Sequence, residues 1–113
     1  MRLVSRLRLD LLFMKTILVF GCGFEQQHAV VLARKLGYRT IAMDRNRTEF
    51  SDRPDVFVEL DPAQLLSVIA TASKYRVDGI LCHGIELSDV CAQACHALGL
   101  PGVKPPAARI CSD

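Results

Sequence analysis

Apolar runs and amphipathic stretches alternate along this chain, and the alternation predicts a sheet interleaved with helices. Thr16-Ile17-Leu18-Val19-Phe20 runs unbroken to Gly21, the pattern of a strand buried on both faces. After a Gly21-Cys22-Gly23 turn, residues 25–36 are expected to be helical. Ala29, Leu32, Ala33 and Leu36 fall on one stripe, the side that a helix normally turns to the core. Gly37 stands where a left-handed cap is expected. Thr40 to Met43 reads as a second strand ending at Asp44, the charged stretch from Arg45 to Asp55 as a loop, and Val56 to Leu60 as a third strand. Asp61 as N-cap, Pro62 in the first helical position and Gln64 signal a helix start. Leu65, Val68, Ile69 and Ala72 then recur at helical spacing. Asp78-Gly79 closes the connection to a fourth strand, Ile80 to Cys82. Leu87, Val90, Cys91, Ala94, Cys95 and Leu98 mark a third helix capped by Gly99. Leu100 to Val103 is expected to be a short fifth strand or edge segment, followed by Pro105, Pro106 and one helical turn.

Strands that alternate with helices are mostly parallel, because each helix carries the chain back across the sheet. The fold expected is therefore a three-layer α/β domain, Rossmann-like, with four to five mostly parallel strands flanked by helices. Right-handed crossovers put the turns after strands one and four at the carboxyl edge, where open α/β sheets bind ligands.

At 113 residues there is room for one domain and no second lobe. MKTILVFGCG from Met14 looks like an ordinary protein start. Residues 1–13 are set aside as an N-terminal extension, and residues 14–113 as the domain. That extension has a basic start and an apolar end, but it is short, contains Asp10 and has no cleavage signal after it. A formal net charge of +2, with dispersed basic residues, gives no nucleic-acid surface. No apolar run approaches the ~20 residues of a membrane-spanning helix. Five cysteines, an odd number and several in apolar segments, fit a reducing compartment, and the cytoplasm is the expected location.

Gly21-Cys22-Gly23-Phe24-Glu25-Gln26 lies between a buried strand and a helix. Glycines let a backbone approach a ligand closely, and helix-start N–H groups favour an anionic group. Asp44 stands near where a dinucleotide-binding fold places its ribose-binding acid. The third glycine of G-x-G-x-x-G is replaced by Gln26, which weighs against a nicotinamide site. A turn that merely joins strand to helix is the plainer alternative. Cys82, His83, Cys91, Cys95 and His96 lack zinc-knuckle spacing, and Cys91 and Cys95 share a helix face with aliphatic residues, so the cysteines read as core. Cys22 would need His28 or His83 to act as a nucleophile. Arg45, Arg47 and Arg53 read as a solvated surface first and a phosphate contact second.

Four segments, ILVFGCGFEQ, LARKLGYRTIAMDRN, DGILCHGIELSD and ACHALGLPGVKPPAARICSD, together resemble the pre-ATP-grasp domain that opens ATP-grasp enzymes. That family includes biotin carboxylase, the carbamoyl-phosphate synthetase large chain and various carboxylate–amine ligases. The resemblance runs from about Lys15 to Asp113 and includes Asp44 with Asn46 and the Gly99-Leu100-Pro101-Gly102 step. It implies the substrate-side domain of a ligase that phosphorylates a carboxylate with ATP and passes it to an amine or other nucleophile. It also implies that ATP and Mg2+ are held by ATP-grasp lobes of the same or a partner chain. This chain, a fragment, excised domain or truncated relative, would then hold no cofactor and be inactive alone. Gly21, Cys22, Gly23, Phe24, Glu25 and Gln26 would form one wall for a small-molecule acceptor, with Asp44 beside them and Gly84, Ile85, Glu86 and Ser88 opposite. Glu25 and Glu86 would bind an amine or hydroxyl, although acidic residues in a first turn are also favoured by the helix dipole alone. A free-standing nucleotide- or NAD-binding module and a non-catalytic homodimerisation domain remain the alternatives.

Overall fold

A computed structural model describes residues 14–47, 53–83 and 85–102. In chain order the elements are β1 (Thr16–Phe20), α1 (Phe24–Lys35), β2 (Arg39–Asp44), β3 (Val56–Glu59), α2 (Leu65–Lys74), β4 (Gly79–Leu81) and α3 (Ser88–Leu98). The sheet order is β3-β2-β1-β4, and every pairing is parallel. Leu18 of β1 stands opposite Ile41 of β2 and Ile80 of β4.

The uninterrupted apolar runs occupy the two inner strands. Leu18, Val19, Phe20, Ile41, Ala42 and Met43 are fully buried, as strands covered on both faces require. Leu18, Phe20, Ile41 and Met43 face Val68 and Ala72 of α2 and Ala94 of α3. The alternate residues face the other way, toward α1, which packs on β1 and β2. The result is three layers, with α1 on one face and α2 and α3 on the other.

Two aspartates fasten the amino edge. Asp78 Oδ2 accepts the Thr16 N–H at 2.8 Å, and the Asp78 N–H returns to the Thr16 carbonyl at 2.7 Å. Asp55 Oδ2 accepts both the N–H and the hydroxyl of Thr40, while the Asp55 N–H donates to Thr40 Oγ1. Both pairs join neighbouring strands where the ladder begins.

The three helices among the described residues close with the same carbonyl-capping pattern. The N–H groups of Gly37 and Tyr38 bond the carbonyls of Arg34 and Ala33, with Gly37 at φ +87°. Gly99 does the same for α3. In α2 the left-handed position is taken by Arg76 (φ 51°), while Gly79 lies within β4.

Several expectations need correction. Asp61 does not cap α2: its Oδ1 accepts the Ala63 N–H in a separate turn, and the helix starts at Leu65 with Gln64 as N-cap. The first helical bond, Val68 N–H to the Gln64 carbonyl, fixes that start. The α1 stripe is also rotated. Gln26, Val30 and Ala33 are the buried residues, whereas Leu32 and Leu36 are exposed. Leu100 to Gly102 is not a strand, since the Leu100 N–H closes on the Cys95 carbonyl. Among the described residues the sheet therefore has four strands. Val103 and the turn beyond Pro106 lie outside the described residues. Among the described residues, no helix is long and apolar enough to cross a membrane.

Candidate functional site

The carboxyl edge brings together the ends of β1, β2 and β4. Gly21 leaves β1 at φ +88°, a conformation open to glycine and costly for other residues. Its N–H bonds the Met43 carbonyl at 2.7 Å, so the turn begins as a continuation of the ladder. The Cys22 N–H then donates to Asp44 Oδ2 at 3.0 Å, and the Cys22 thiol is directed at the same oxygen (3.3 Å) and at the Asn46 carbonyl (3.5 Å). Asp44 Oδ1 accepts the Asn46 N–H at 3.1 Å. Both oxygens of Asp44 are thus engaged by neighbouring backbone, and Asp44 holds the turn in shape.

Gln26 lies beneath this turn, 7% exposed. Its Nε2 donates to the His83 carbonyl at 2.6 Å, linking the turn after β1 to the end of β4. A Cβ at Gly21 would stand 3.2 Å from Gln26 Cγ, and one at Gly23 only 2.8 Å from Gln26 Oε1. The two glycines make room for the glutamine. In a dinucleotide fold a third glycine at this position keeps the helix close and the crevice open. Here a side chain fills that space.

Gly23 caps α1 without any side-chain hydrogen bond. The first intrahelical bond joins the Gln27 N–H to the Gly23 carbonyl, leaving the earlier N–H groups of the first turn toward the edge. Phe24 (79% exposed) and Glu25 project at this rim. Across the edge, Glu86 is exposed, Ile85 is packed against the core, and Ser88 is the first residue of α3. Gly84 lies outside the described residues.

Of the cysteines in the β4–α3 region, Cys95 is buried, and Cys82 and Cys91 are half-buried against the core. Burial pushes the Cys91 thiol up to about 12, with Cys95 and Cys82 adding to the effect. Burial likewise raises Cys82 and Cys95, against weaker lowering by hydrogen bonds. Such thiols stay protonated near neutrality and are poor nucleophiles. Among the described residues no three His, Cys, Asp or Glu side chains converge on a metal position.

No protein-family profile and no curated protein matches the sequence. Solved structures do match the fold. A phosphoribosylglycinamide synthetase from Anaerococcus prevotii aligns over 88% of this chain at 23% identity with a TM-score of 0.74. An L-amino acid ligase from Bacillus licheniformis aligns over 86% at 23% identity with a TM-score of 0.66. Both are ATP-grasp ligases. These likenesses show the fold, a parallel Rossmann-like α/β sheet flanked by helices. This chain spans 26% and 27% of those two proteins. A UDP-glucose 4-epimerase from Brucella ovis, solved with NAD, aligns over 74% of this chain and 32% of its own length at 20% identity, with a TM-score of 0.62. The sheet thus follows a wider Rossmann-like plan.

At this edge the structure joins Cys22 to Asp44, and Gln26 to the end of β4. It leaves Phe24, Glu25 and Glu86 exposed at the rim. The sequence did not point to the His83 carbonyl as a structural acceptor, nor to Gln27, whose Nε2 donates to the Cys22 carbonyl at 3.2 Å. A carbonyl carries no residue-type signature. The one available signal was a long amide where glycine was expected.

Proposed function

We propose that this chain is the substrate-side domain of an ATP-grasp ligase of the carboxylate–amine or a related class. It works beside ATP-grasp lobes of the same or a partner chain. The Gln26 strap carries the proposal. It fills the space that a dinucleotide's pyrophosphate needs and ties the two turns that face each other across the edge. The two ligase matches, each covering more than four-fifths of this chain, support the same assignment.

In this role the first-turn N–H groups of α1 attract a carboxylate or phosphate of the acceptor by their partial positive charge. Glu25 and Glu86, at the rim, are suited to an ammonium or hydroxyl through charge-assisted hydrogen bonds. Asp44 shapes the turn. The resemblance assigns Mg2+ and the nucleotide phosphates to the ATP-grasp lobes. Those lobes supply the phosphorylation of the carboxylate. An odd number of cysteines, several in apolar segments, fits a reducing compartment such as the cytoplasm.

The test combines sequence and calorimetry. The source reading frame beyond Asp113 is expected to continue with a lysine, a glycine-rich loop and an acidic metal-binding strand. The 113-residue chain, titrated separately with NAD(H) and ATP, is expected to bind neither tightly. Tight NAD(H) binding would favour the nucleotide-module alternative and overturn the proposal.

A further inference from the structure

Helix α1 leaves part of its sheet face uncovered. Gln26, Val30 and Ala33 bury one side of the helix, while Leu32 and Leu36 are exposed by 61% and 76%. Beside them runs an apolar groove of about 400 Å3. Ala29, Leu32 and Leu36 line it from the helix, Ile17 and Leu81 from the sheet, and Tyr38 from the turn between α1 and β2. Ile17 belongs to the inner strand β1 and is still only half-buried, although Val19, on the same face, is fully buried. Helices α2 and α3 cover the opposite face, so among the described residues no helix covers β4 on this side.

The chain enters the sheet at one end of this groove. The Lys15 carbonyl accepts the Arg39 N–H at 2.8 Å at the amino edge, where Ile17 and Tyr38 line the groove. Residues 1–13 lead into that point. As a helix they would span roughly 20 Å, close to the length of the 12-residue α1. Leu3, Leu7 and Leu11 recur at four-residue steps with Val4 beside them, an apolar stripe fit to pack on a surface. Arg2 and Arg6 step along a neighbouring stripe. A segment that lies in the groove and then enters β1 must run from the carboxyl edge to the amino edge, parallel to α1. Its basic start then comes to Glu25, which shares the α1 stripe of Ala29, Leu32 and Leu36. So short a helix is marginal by itself and draws its stability from such packing.

We propose that residues 1–13 seat as an amphipathic helix in the groove beside α1, with Leu3, Leu7 and Leu11 against its apolar lining and Arg2 and Arg6 near Glu25. This intrachain seat is independent of the ligase reading. In the 113-residue chain, amide hydrogen exchange at residues 6–11 is expected to be slowed at least about tenfold relative to an unfolded peptide. Leu7→Gln should remove most of that protection and lower the urea midpoint. Leu9→Gln, the same change on the opposite side of the helix, should leave both unaltered. Exchange at the unfolded-peptide rate overturns the inference. So do equal effects of the two substitutions, or protection that fades on dilution, which would place the segment on a second copy.

Discussion

The side-chain amide of Gln26 donates to the main-chain carbonyl of His83 across 2.6 Å, although the two residues are 57 positions apart. The short strand β4 is consequently pinned at both ends. Asp78 binds its start to Thr16 at the amino edge, and Gln26 binds its exit at the carboxyl edge. The glycines at 21 and 23 are the sequence consequence of housing that glutamine.

Gly23 has an ordinary extended backbone (φ −71°), so an alanine there meets no conformational penalty of its own. The cost must come from the 2.8 Å approach of the new Cβ to Gln26 Oε1. Gly23→Ala is expected to lose about 1–2 kcal/mol by overpacking. Gln26→Ala should lose a similar amount through the broken hydrogen bond. In the double variant most of the Gly23→Ala cost should vanish, giving a coupling of about 1 kcal/mol in urea denaturation. Strictly additive losses would remove the steric account.

Thr40 is fully buried, and its hydroxyl both accepts from the Asp55 N–H and donates to Asp55 Oδ2. Thr40→Val keeps the shape but strips both bonds, leaving polar groups of Asp55 without that partner. A loss of about 2 kcal/mol is expected, read as a lower urea midpoint at unchanged slope. Thr40→Ser retains the hydroxyl and should lose less. Equal stability of the valine and serine variants would show that this strand fastening is energetically idle.

Arg76 occupies the left-handed position that glycine takes at the ends of the other two helices. Relief of that backbone strain exceeds the extra freedom glycine gains in the unfolded chain. Arg76→Gly is therefore expected to stabilise the domain by about 0.5–1 kcal/mol, visible as a higher thermal midpoint. A lower midpoint would mean that the Arg76 side chain contributes more than its backbone costs.

Cys91 is pushed by burial from 9.0 to about 12, so the folded state holds its proton more tightly than the unfolded state does. Its contribution is fully present below pH 9 and is lost as pH rises toward the folded-state value. Stability should decline over this window, and the decline should be shallower in Cys91→Ala. Comparing the two slopes by urea titration removes the background from lysines and tyrosines. Parallel slopes would show that Cys91 ionises alike in both states.

The fold class was legible from local patterns. The runs 16–20 and 40–43 are apolar without alternation, and only strands covered on both faces need that. Their alternation with helical segments implied a parallel sheet, and the turn glycines marked its carboxyl edge. The rotation of α1 was not legible. The expected stripe, 29/32/33/36, and the buried side, 26/30/33, share Ala33, but the buried side carries the polar Gln26, which argued for the wrong side. Burial of that amide is favourable only because the His83 carbonyl lies across the sheet edge to receive it. The same holds for Asp61, whose side chain suits a cap but whose backbone turns once before α2 begins. Hydrophobic period and turn chemistry are local properties, so the sequence by itself determined the elements, their order and the parallel sheet. Which face of a helix is buried, and which polar groups meet, depends on partners tens of residues away, and only the tertiary structure decided them.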